Sequence, residues 1–162
     1  MKQQTTFKET EIGIIPIEWN AKEFQEVGKV NMGQSPKSET YNIIGNGLPF
    51  YQGRRDFGRK YPTVSVYCTD PKKIAQKGDV LLTVRAPVGD VNMANEECCI
   101  GRGVSALRLN NGNNEFLYYL VGYYEPKWRN LETGTTISSA IKKGRRRFGK
   151  RGGKEGDGEV WV

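Results

Sequence analysis

The stretch Gly78-Asp79-Val80-Leu81-Leu82-Thr83-Val84-Arg85-Ala86-Pro87-Val88-Gly89 combines the features that decide the fold. Its centre, residues 80–84, is a largely apolar run, which is typical of a strand that is buried on both faces. A Gly-Asp pair precedes the run, and a segment containing glycine and proline follows it. The pattern therefore predicts a buried strand with a polar turn at residues 85–90.

Short strand patterns separated by loops extend outward from this strand on both sides. They lie at residues 29–32, 48–52, 63–68, 91–94 and 98–109. Pro49 in the second of these patterns is typical of an edge strand. We therefore expect an α+β fold with a twisted, mostly antiparallel β-sheet and a few short helices.

The strongest helical pattern runs from Glu115 to Glu125, where apolar residues recur at a spacing of three and four. Pro126 ends or kinks this helix. The side chains that we expect in the core are Trp19, Phe50, Leu82, Leu117, Leu120 and Val121.

The 162 residues suffice for one domain with its own hydrophobic core. We expect a flexible lead-in at residues 1–12, a domain at 13–143 and a disordered Gly/Arg-rich tail at 144–162. The first six residues lack the apolar core of a signal peptide, and no apolar run approaches the roughly 20 residues of a membrane helix. We therefore expect a cytoplasmic protein that makes no membrane contact.

The formal charge of +7 is unevenly distributed along the chain. Residues 142–162 contain eight Lys/Arg and three acidic residues, net +5, whereas residues 1–141 carry a net charge of only +2. The high isoelectric point is thus mainly a property of the tail. Total charge is therefore a weak argument that the domain binds nucleic acid.

Residue types exclude several catalytic classes. The chain has no histidine, which excludes Ser-His-Asp and Cys-His catalysis and histidine-ligated metals. Its cysteines, Cys68, Cys98 and Cys99, form no C-x-x-C pair, so we expect reduced thiols and no zinc. Glycine patterns at residues 101–106 and 144–150 lack the strand and helix context that nucleotide binding requires. The sequence therefore indicates no catalytic residue and no metal site.

Four loops combine glycine with polar and basic side chains, at residues 33–37, 52–60, 85–90 and 101–103. Arginine bonds guanine and glutamine bonds adenine through two hydrogen bonds, and lysine neutralises phosphates. These loops indicate contact with DNA. The alternative is a solvated surface that only keeps the protein soluble.

We assign candidate roles to the polar residues by their chemistry. Gln52, Arg54 and Arg55 are candidates for base edges. Arg85 and Arg102 either contact DNA or bond loop carbonyls in a structural role. Lys37, Arg59 and Lys60 are candidates for phosphates. The complete set of predicted DNA-binding residues is Gln34, Ser35, Lys37, Gln52, Arg54, Arg55, Arg59, Lys60, Arg85 and Arg102.

The order of these segments resembles the target recognition domain of type I restriction–modification specificity subunits. Each segment is weakly specific alone, but their order and spacing over about residues 11–143 are fairly specific. The matching segments are Gly13-Ile14-Ile15-Pro16-Ile17-Glu18-Trp19, Gly33-Gln34-Ser35-Pro36, Leu48-Pro49-Phe50-Tyr51-Gln52-Gly53, the Gly78–Gly89 stretch, Cys98-Cys99-Ile100-Gly101-Arg102-Gly103-Val104 and Gly134-Thr135-Thr136.

The resemblance implies a non-catalytic protein whose loops recognise one half of a bipartite site in double-stranded DNA. It also implies no cofactor of its own. S-adenosylmethionine, ATP and magnesium would serve partner methyltransferase and restriction (helicase–nuclease) subunits. In that family two recognition domains are separated by long spacer helices, which bind the methyltransferase subunits.

The sequence departs from the family pattern after Gly134-Thr135-Thr136, where the Gly/Arg-rich segment replaces the approach to the first spacer helix. A shifted reading frame would turn purine-rich Glu and Lys codons into Arg and Gly. This departure implies a single recognition domain truncated before the spacer helix, and it puts assembly with methyltransferase partners in doubt. Two alternatives are an inert truncated remnant and a metal-dependent nuclease with an unrecognised carboxylate site.

Overall fold

The computed structural model describes residues 6–10, 13–85, 87–123, 125 and 147–151. Within them, short strands predominate and the α-helices are short, which confirms the expected α+β class. In chain order the elements are β1 (Phe7–Thr10), β2 (Gly13–Pro16), β3 (Trp19–Glu23), α1 (Phe24–Val27), β4 (Gly28–Met32), β5 (Tyr41–Asn42), β6 (Leu48–Tyr51), β7 (Tyr67–Cys68), β8 (Ile74–Ala75), β9 (Val80–Thr83), β10 (Val91–Met93), β11 (Cys98–Ile100), β12 (Val104–Leu109), α2 (Asn114–Tyr123) and β13 (Arg147–Arg151), with 3-10 turns at Ser38–Thr40 and Arg54–Asp56.

Two main sheets form the body of the fold. The first has the order β10-β9-β12-β4, with every neighbouring pair antiparallel. The second has the order β5-β7-β6-β11-β8, in which β6 and β11 are parallel and the other pairs are antiparallel. The strand expected over residues 98–109 is instead two strands in different sheets, because the chain turns at residues 101–103.

The apolar residues occupy three layers around these sheets. One cluster lies between the helices and the four-stranded sheet and includes Phe24, Leu109 and Leu117. A second, which includes Tyr51 and Ile100, joins the two sheets. A third, around Phe50, covers the outer face of the five-stranded sheet. The four-stranded sheet is therefore the middle layer, with apolar packing on both faces.

Strand β9 confirms the prediction made from the run at residues 80–84. Val80 and Leu82 pack in the helix-side cluster, whereas Leu81 packs between the sheets. All three side chains are fully buried. Because neither face of β9 meets water, its sequence lacks the alternation of a half-buried strand.

Helix α2 packs on β9, β10 and β12, as its apolar pattern predicts. Leu117 and Val121 are buried against the middle sheet, and Leu120 is partly buried beside them. Phe50 and Leu82 of the expected core are also buried, whereas the side chain of Trp19 lies outside the described part of the structure. Among the described residues, no helix has the length and apolar character needed to cross a bilayer.

Two strand predictions need correction. Of residues 63–68 only Tyr67–Cys68 forms a strand. The alternation is nevertheless real, since Val64 packs between the sheets and Val66 packs on the outer face. Pro49 lies in β6, which is an interior strand and not an edge strand. The missing N–H of Pro49 is tolerated near the start of the strand, where the β11 pairing begins only at Phe50.

Two described strands, β1 and β13, lie outside residues 13–143. β1, within the expected flexible lead-in, pairs with β2 over four residues. β13, within the expected disordered tail, pairs antiparallel with β3 over five residues. Residues 147–151 of the expected tail thus form a paired strand, since backbone pairing with β3 does not require an apolar side-chain pattern. The rest of the tail lies outside the described residues.

We expect Leu117→Ala to lower the free energy of unfolding by about 2–5 kcal/mol, because it leaves a cavity between α2 and the middle sheet. Tyr123→Ala on the exposed face of the same helix, where the side chain is 77% exposed, is the control and should change stability by less than about 0.5 kcal/mol. Urea titration of both variants measures the difference. Equal effects would contradict the packing described for α2.

The cysteines give a second prediction. Cys68, Cys98 and Cys99 are buried and free, and burial raises the pKa of the Cys98 and Cys99 thiols to about 12. Cys98 and Cys99 therefore carry little thiolate at pH 8, and thiolate is the reactive form. We expect an aromatic disulfide reagent to label the native protein far more slowly than free cysteine, and to label all three thiols in urea. Rapid native labelling would contradict this burial.

Candidate nucleic-acid interface

The four loops chosen from the sequence follow the carboxyl ends of β4, β6, β9 and β11. The antiparallel order β9-β12-β4 makes β9 and β4 run in the same direction, and β6 and β11 are parallel. Each pair of strands thus delivers its two loops to one end of its sheet. We call the loops at residues 33–37, 52–60, 85–90 and 101–103 together the four-loop edge.

The turn at residues 101–103 joins the other three loops through backbone hydrogen bonds. The Gly101 N–H donates to the Tyr51 carbonyl at 2.9 Å, and the Val84 N–H donates to the Gly103 carbonyl at 2.9 Å. The Gly33 N–H donates to the carbonyl of Val104, immediately after the turn, at 3.0 Å. The four loops therefore form one connected surface.

Side chains are too large for the closest of these contacts. A Cβ atom on Gly33 would lie 2.1 Å from the Gly101 carbonyl oxygen and 2.5 Å from that of Val104. A Cβ atom on Gly103 would lie 2.1 Å from the Gln52 carbonyl oxygen. Both glycines are thus required by backbone-to-backbone packing and not by an unusual φ.

The loop at residues 52–60 is held by two buried polar side chains. The Asp56 carboxylate accepts hydrogen bonds from the N–H groups of Gln52 at 2.6 Å and Gly53 at 3.3 Å. Asn92, which is 1% exposed, accepts from the Gly58 N–H at 3.0 Å and donates to the Gly58 carbonyl at 2.9 Å. The arginines of this loop therefore project from a preorganised backbone.

The turn at residues 85–90 is fixed by Thr83 at the end of β9. The Thr83 hydroxyl donates to the Pro87 carbonyl at 3.1 Å and accepts from the Asp90 N–H at 2.9 Å. The Asp90 carboxylate in turn forms an ion pair with Arg54 of the neighbouring loop, with Nε and Oδ2 3.5 Å apart. This ion pair is a side-chain contact between two loops of the edge.

Most of the predicted DNA-binding residues are exposed on the four-loop edge. Ser35 and Lys60 are partly buried. Ser35 accepts a hydrogen bond from the Arg102 N–H at 3.2 Å, and Lys37 forms an exposed ion pair with Glu39 at 3.8 Å. The exposed residues are Gln34, Lys37, Gln52, Arg54, Arg55, Arg59, Arg85 and Arg102.

Lys60 differs from the other basic residues because it contacts helix α2. Its ammonium group bonds the Glu115 carboxylate, and this hydrogen bond raises the pKa of Lys60 above its ordinary value. The same group lies 5.5 Å from the ring centre of Tyr118 and 5.7 Å from those of Tyr61 and Tyr119. Lys60 thus anchors the end of its loop to the helix.

The sequence reasoning did not single out the residues that hold the edge together. Asp56, Asp90, Asn92 and Thr83 position the loops, although none was a candidate for contact with DNA. A signal was present for Asn92 and Thr83, since each is a polar residue within or beside a buried strand. The Arg54–Asp90 ion pair joins residues 36 positions apart and has no local sequence signal.

Charge is concentrated at the four-loop edge. The four loops contain seven basic and two acidic residues, a net charge of +5. Residues 1–141 together carry only +2, so the rest of this segment is net negative at −3. The positive charge of residues 1–141 is therefore concentrated on this surface, and positively charged surfaces attract acidic molecules.

The described residues contain no group of three or more His, Cys, Asp or Glu side chains that could hold a metal ion. Thiolate, imidazole and carboxylate groups are the side chains that commonly bind metal ions in proteins.

Comparisons with known proteins agree with this geometry. Residues 16–144 match the type I restriction modification DNA specificity domain. A putative type I restriction enzyme MjaX specificity subunit of Methanocaldococcus jannaschii is 41% identical over 145 residues, which cover 87% of this chain and 34% of that protein.

Two solved structures are also similar. The HsdS subunit of Thermoanaerobacter tengcongensis is 40% identical, with a TM-score of 0.73 over 86% of this chain and 37% of that one. A chain from a study of complex assembly and conformational transition of the type I R-M system is 48% identical, with a TM-score of 0.68 over 75% of this chain and 31% of that one. This chain therefore spans about a third of the length of these relatives.

The polar and basic loops of this protein meet at one end of its stacked sheets. The fold therefore defines a protein with a β-sheet scaffold whose candidate binding surface consists of loops. The match to the family over residues 16–144 narrows this class of protein to one family. The chain belongs to the type I restriction modification DNA specificity family, as the resemblance implies.

We expect Gly33→Ala to destabilise the protein by about 1–3 kcal/mol, because the new methyl group overlaps backbone oxygen atoms that cannot easily move. Gly53→Ala is a matched control in the same edge, where nothing lies within 4 Å of the added Cβ atom. Urea titration measures both changes. If Gly53→Ala were the more damaging substitution, the described packing would be incorrect.

Proposed function

We propose that this chain recognises double-stranded DNA in a sequence-specific manner, as the specificity component of a type I restriction–modification complex. The observation that carries the proposal is the net charge of +5 on the four-loop edge, against −3 on the rest of residues 1–141. Membership of the specificity family supports the same function. The proposed unit is the domain at residues 13–143, and it reads one half of a bipartite site without catalysis of its own.

Within this proposal some loop residues contact the base edges and others contact the phosphates of the DNA backbone. Arg54, Arg55 and Gln52 are exposed on the preorganised loop and are the candidates for base edges. Lys37 and Arg59 are the candidates for phosphates. Lys60 retains a candidate phosphate role, but only if its ammonium group exchanges Glu115 for DNA. Gln34, Ser35, Arg85 and Arg102 complete the contact surface.

The proposal extends to partners and to the cell compartment. Methyltransferase and restriction subunits would supply S-adenosylmethionine, ATP and magnesium chemistry, and this chain would direct them to the site. Free buried cysteines agree with a reducing compartment, and we propose the cytoplasm. The nuclease alternative has no support from the relatives described above, two of which are specificity subunits and one a chain from a type I R-M system.

The proposal predicts that Arg54→Ala or Arg55→Ala relaxes the preference at one base pair and costs about 1–3 kcal/mol on the preferred site. Arg59→Ala should instead weaken binding to all sequences alike and reduce the log–log salt slope by about 0.9. Selection from a random duplex pool defines the site. Competition titrations at one fixed salt concentration then measure the discrimination.

The control is Lys77→Ala, which removes an exposed basic residue outside the four loops. It should leave both the preferred site and the salt slope nearly unchanged. If the full chain selects no sequence, the proposed function is wrong. If both arginine variants keep the wild-type preference and lose affinity uniformly, the loop at residues 52–60 holds only the DNA backbone.

A further inference from the structure

We propose that Asp90 is a specificity-determining residue that orients Arg54 to read a guanine. The inference rests on the proposed function and deepens it, because it names guanine as the base that Arg54 contacts and Asp90 as the residue that positions Arg54. Neither the composition of the loops nor the family assignment gives Asp90 this role.

The ion pair engages one particular side of the Arg54 guanidinium. The contact with the Asp90 carboxylate is made through Nε, at 3.5 Å from Oδ2. An arginine approached at Nε retains its two terminal amino groups for a second partner. Those two groups form the fork that matches O6 and N7 of guanine. The pair is therefore compatible with simultaneous support by Asp90 and bidentate contact with guanine.

Asp90 is well placed to provide that support because the core strand β9 fixes its backbone. The Asp90 N–H donates to the Thr83 hydroxyl at 2.9 Å, and the Thr83 N–H donates to the Asp90 carbonyl at 2.9 Å. Thr83 is fully buried, and its hydroxyl also bonds Pro87. The backbone of Asp90 thus has a fixed position relative to the middle sheet, and its buried Oδ2 atom, which accepts no hydrogen bond, lies 3.5 Å from Nε of Arg54.

The exposure of the two partners indicates that the pair serves orientation more than stability. The Arg54 side chain is 58% exposed and that of Asp90 is 21% exposed. An ion pair with an exposed arginine contributes little to folding. A free arginine, however, loses rotamer freedom when it binds a base, and a carboxylate that already restricts it reduces this cost.

The surroundings of the pair leave room for a base edge. A polar cleft of about 330 Å³ opens beside Arg54 and Asp90 and is also lined by Arg59 and Asn92. Asn92 is committed to the Gly58 backbone, so it does not compete for Arg54. Arg59 adds positive charge, which favours the electronegative guanine edge and the neighbouring phosphates.

The test compares Asp90→Asn with Glu39→Gln in the full chain. Both substitutions remove one carboxylate charge and preserve side-chain size, but Glu39 pairs with Lys37 and not with Arg54. We expect Asp90→Asn to reduce discrimination about tenfold, or about 1.4 kcal/mol, at the guanine position that Arg54→Ala identifies. Glu39→Gln should leave discrimination at that position unchanged.

A double-mutant cycle distinguishes a role of Asp90 that acts through Arg54 from a direct contact of Asp90 with DNA. If Asp90 acts through Arg54, then the Arg54→Ala, Asp90→Asn double variant should discriminate no worse than Arg54→Ala alone. Additive losses, or a loss at another base pair, would mean that Asp90 reads DNA directly, and this would overturn the inference. Tighter binding of Asp90→Asn with intact guanine preference would show that the carboxylate competes with DNA, and it would also overturn the inference.

A measurement without DNA tests the orientation itself. The NMR order parameter of the Arg54 Nε–H group should be high in the wild-type chain and should fall in Asp90→Asn, while it is unchanged in Glu39→Gln. An unchanged value in Asp90→Asn would refute the positioning role. If the wild-type chain selects no DNA sequence, the proposed function fails first. If it selects a site that Asp90→Asn reads equally well, only this inference fails.

Discussion

The close backbone contact at Gly101-Arg102-Gly103 is the constraint on which the rest of the structure depends. This turn carries the chain from the five-stranded sheet to the four-stranded sheet, and so it fixes the stacking of the two sheets. It also bonds the backbone at the ends of β6 and β9. Because Gly33 and Gly103 have no Cβ atoms, carbonyl oxygens can occupy the space where side chains would otherwise lie. Core packing and the arrangement of the loops are thus consequences of the same few glycines.

The parts of the fold that sequence predicts are those in which local pattern and burial coincide. β9 and α2 are examples, since Leu81 and Leu82 are buried on opposite faces and Leu117 lies on the one apolar face of its helix. Sequence does not predict strands correctly where an alternating pattern reflects side-chain burial but the backbone forms no strand, as at Val64 and Val66. Sequence also contains no local signal for the pairing of residues 147–151, because Arg151 pairs with Trp19, which lies 132 positions earlier in the chain.

The candidate site, too, can be predicted only in part from the sequence. Composition identifies all four loops, because glycine, arginine and glutamine mark exposed polar turns. It does not show that the loops converge, since convergence depends on strand order and direction. The roles of Asp56 and Asp90 are also hidden, because an acidic residue within a basic loop looks like an unfavourable charge until its backbone or arginine partner is known. The ion pair between Lys60 and Glu115 is hidden in the same way, because the two residues are 55 positions apart.

The loops of the edge are attached to the sheets mainly through main-chain atoms and a few buried side chains. The side chains of Gln34, Arg55 and Arg85 are exposed on this edge. Substitutions at such exposed positions usually change the free energy of unfolding by less than about 0.5 kcal/mol. The architecture therefore separates the side chains that mutation can alter from those that it cannot, so the surface of the edge can change while the sheets and the glycine contacts stay the same.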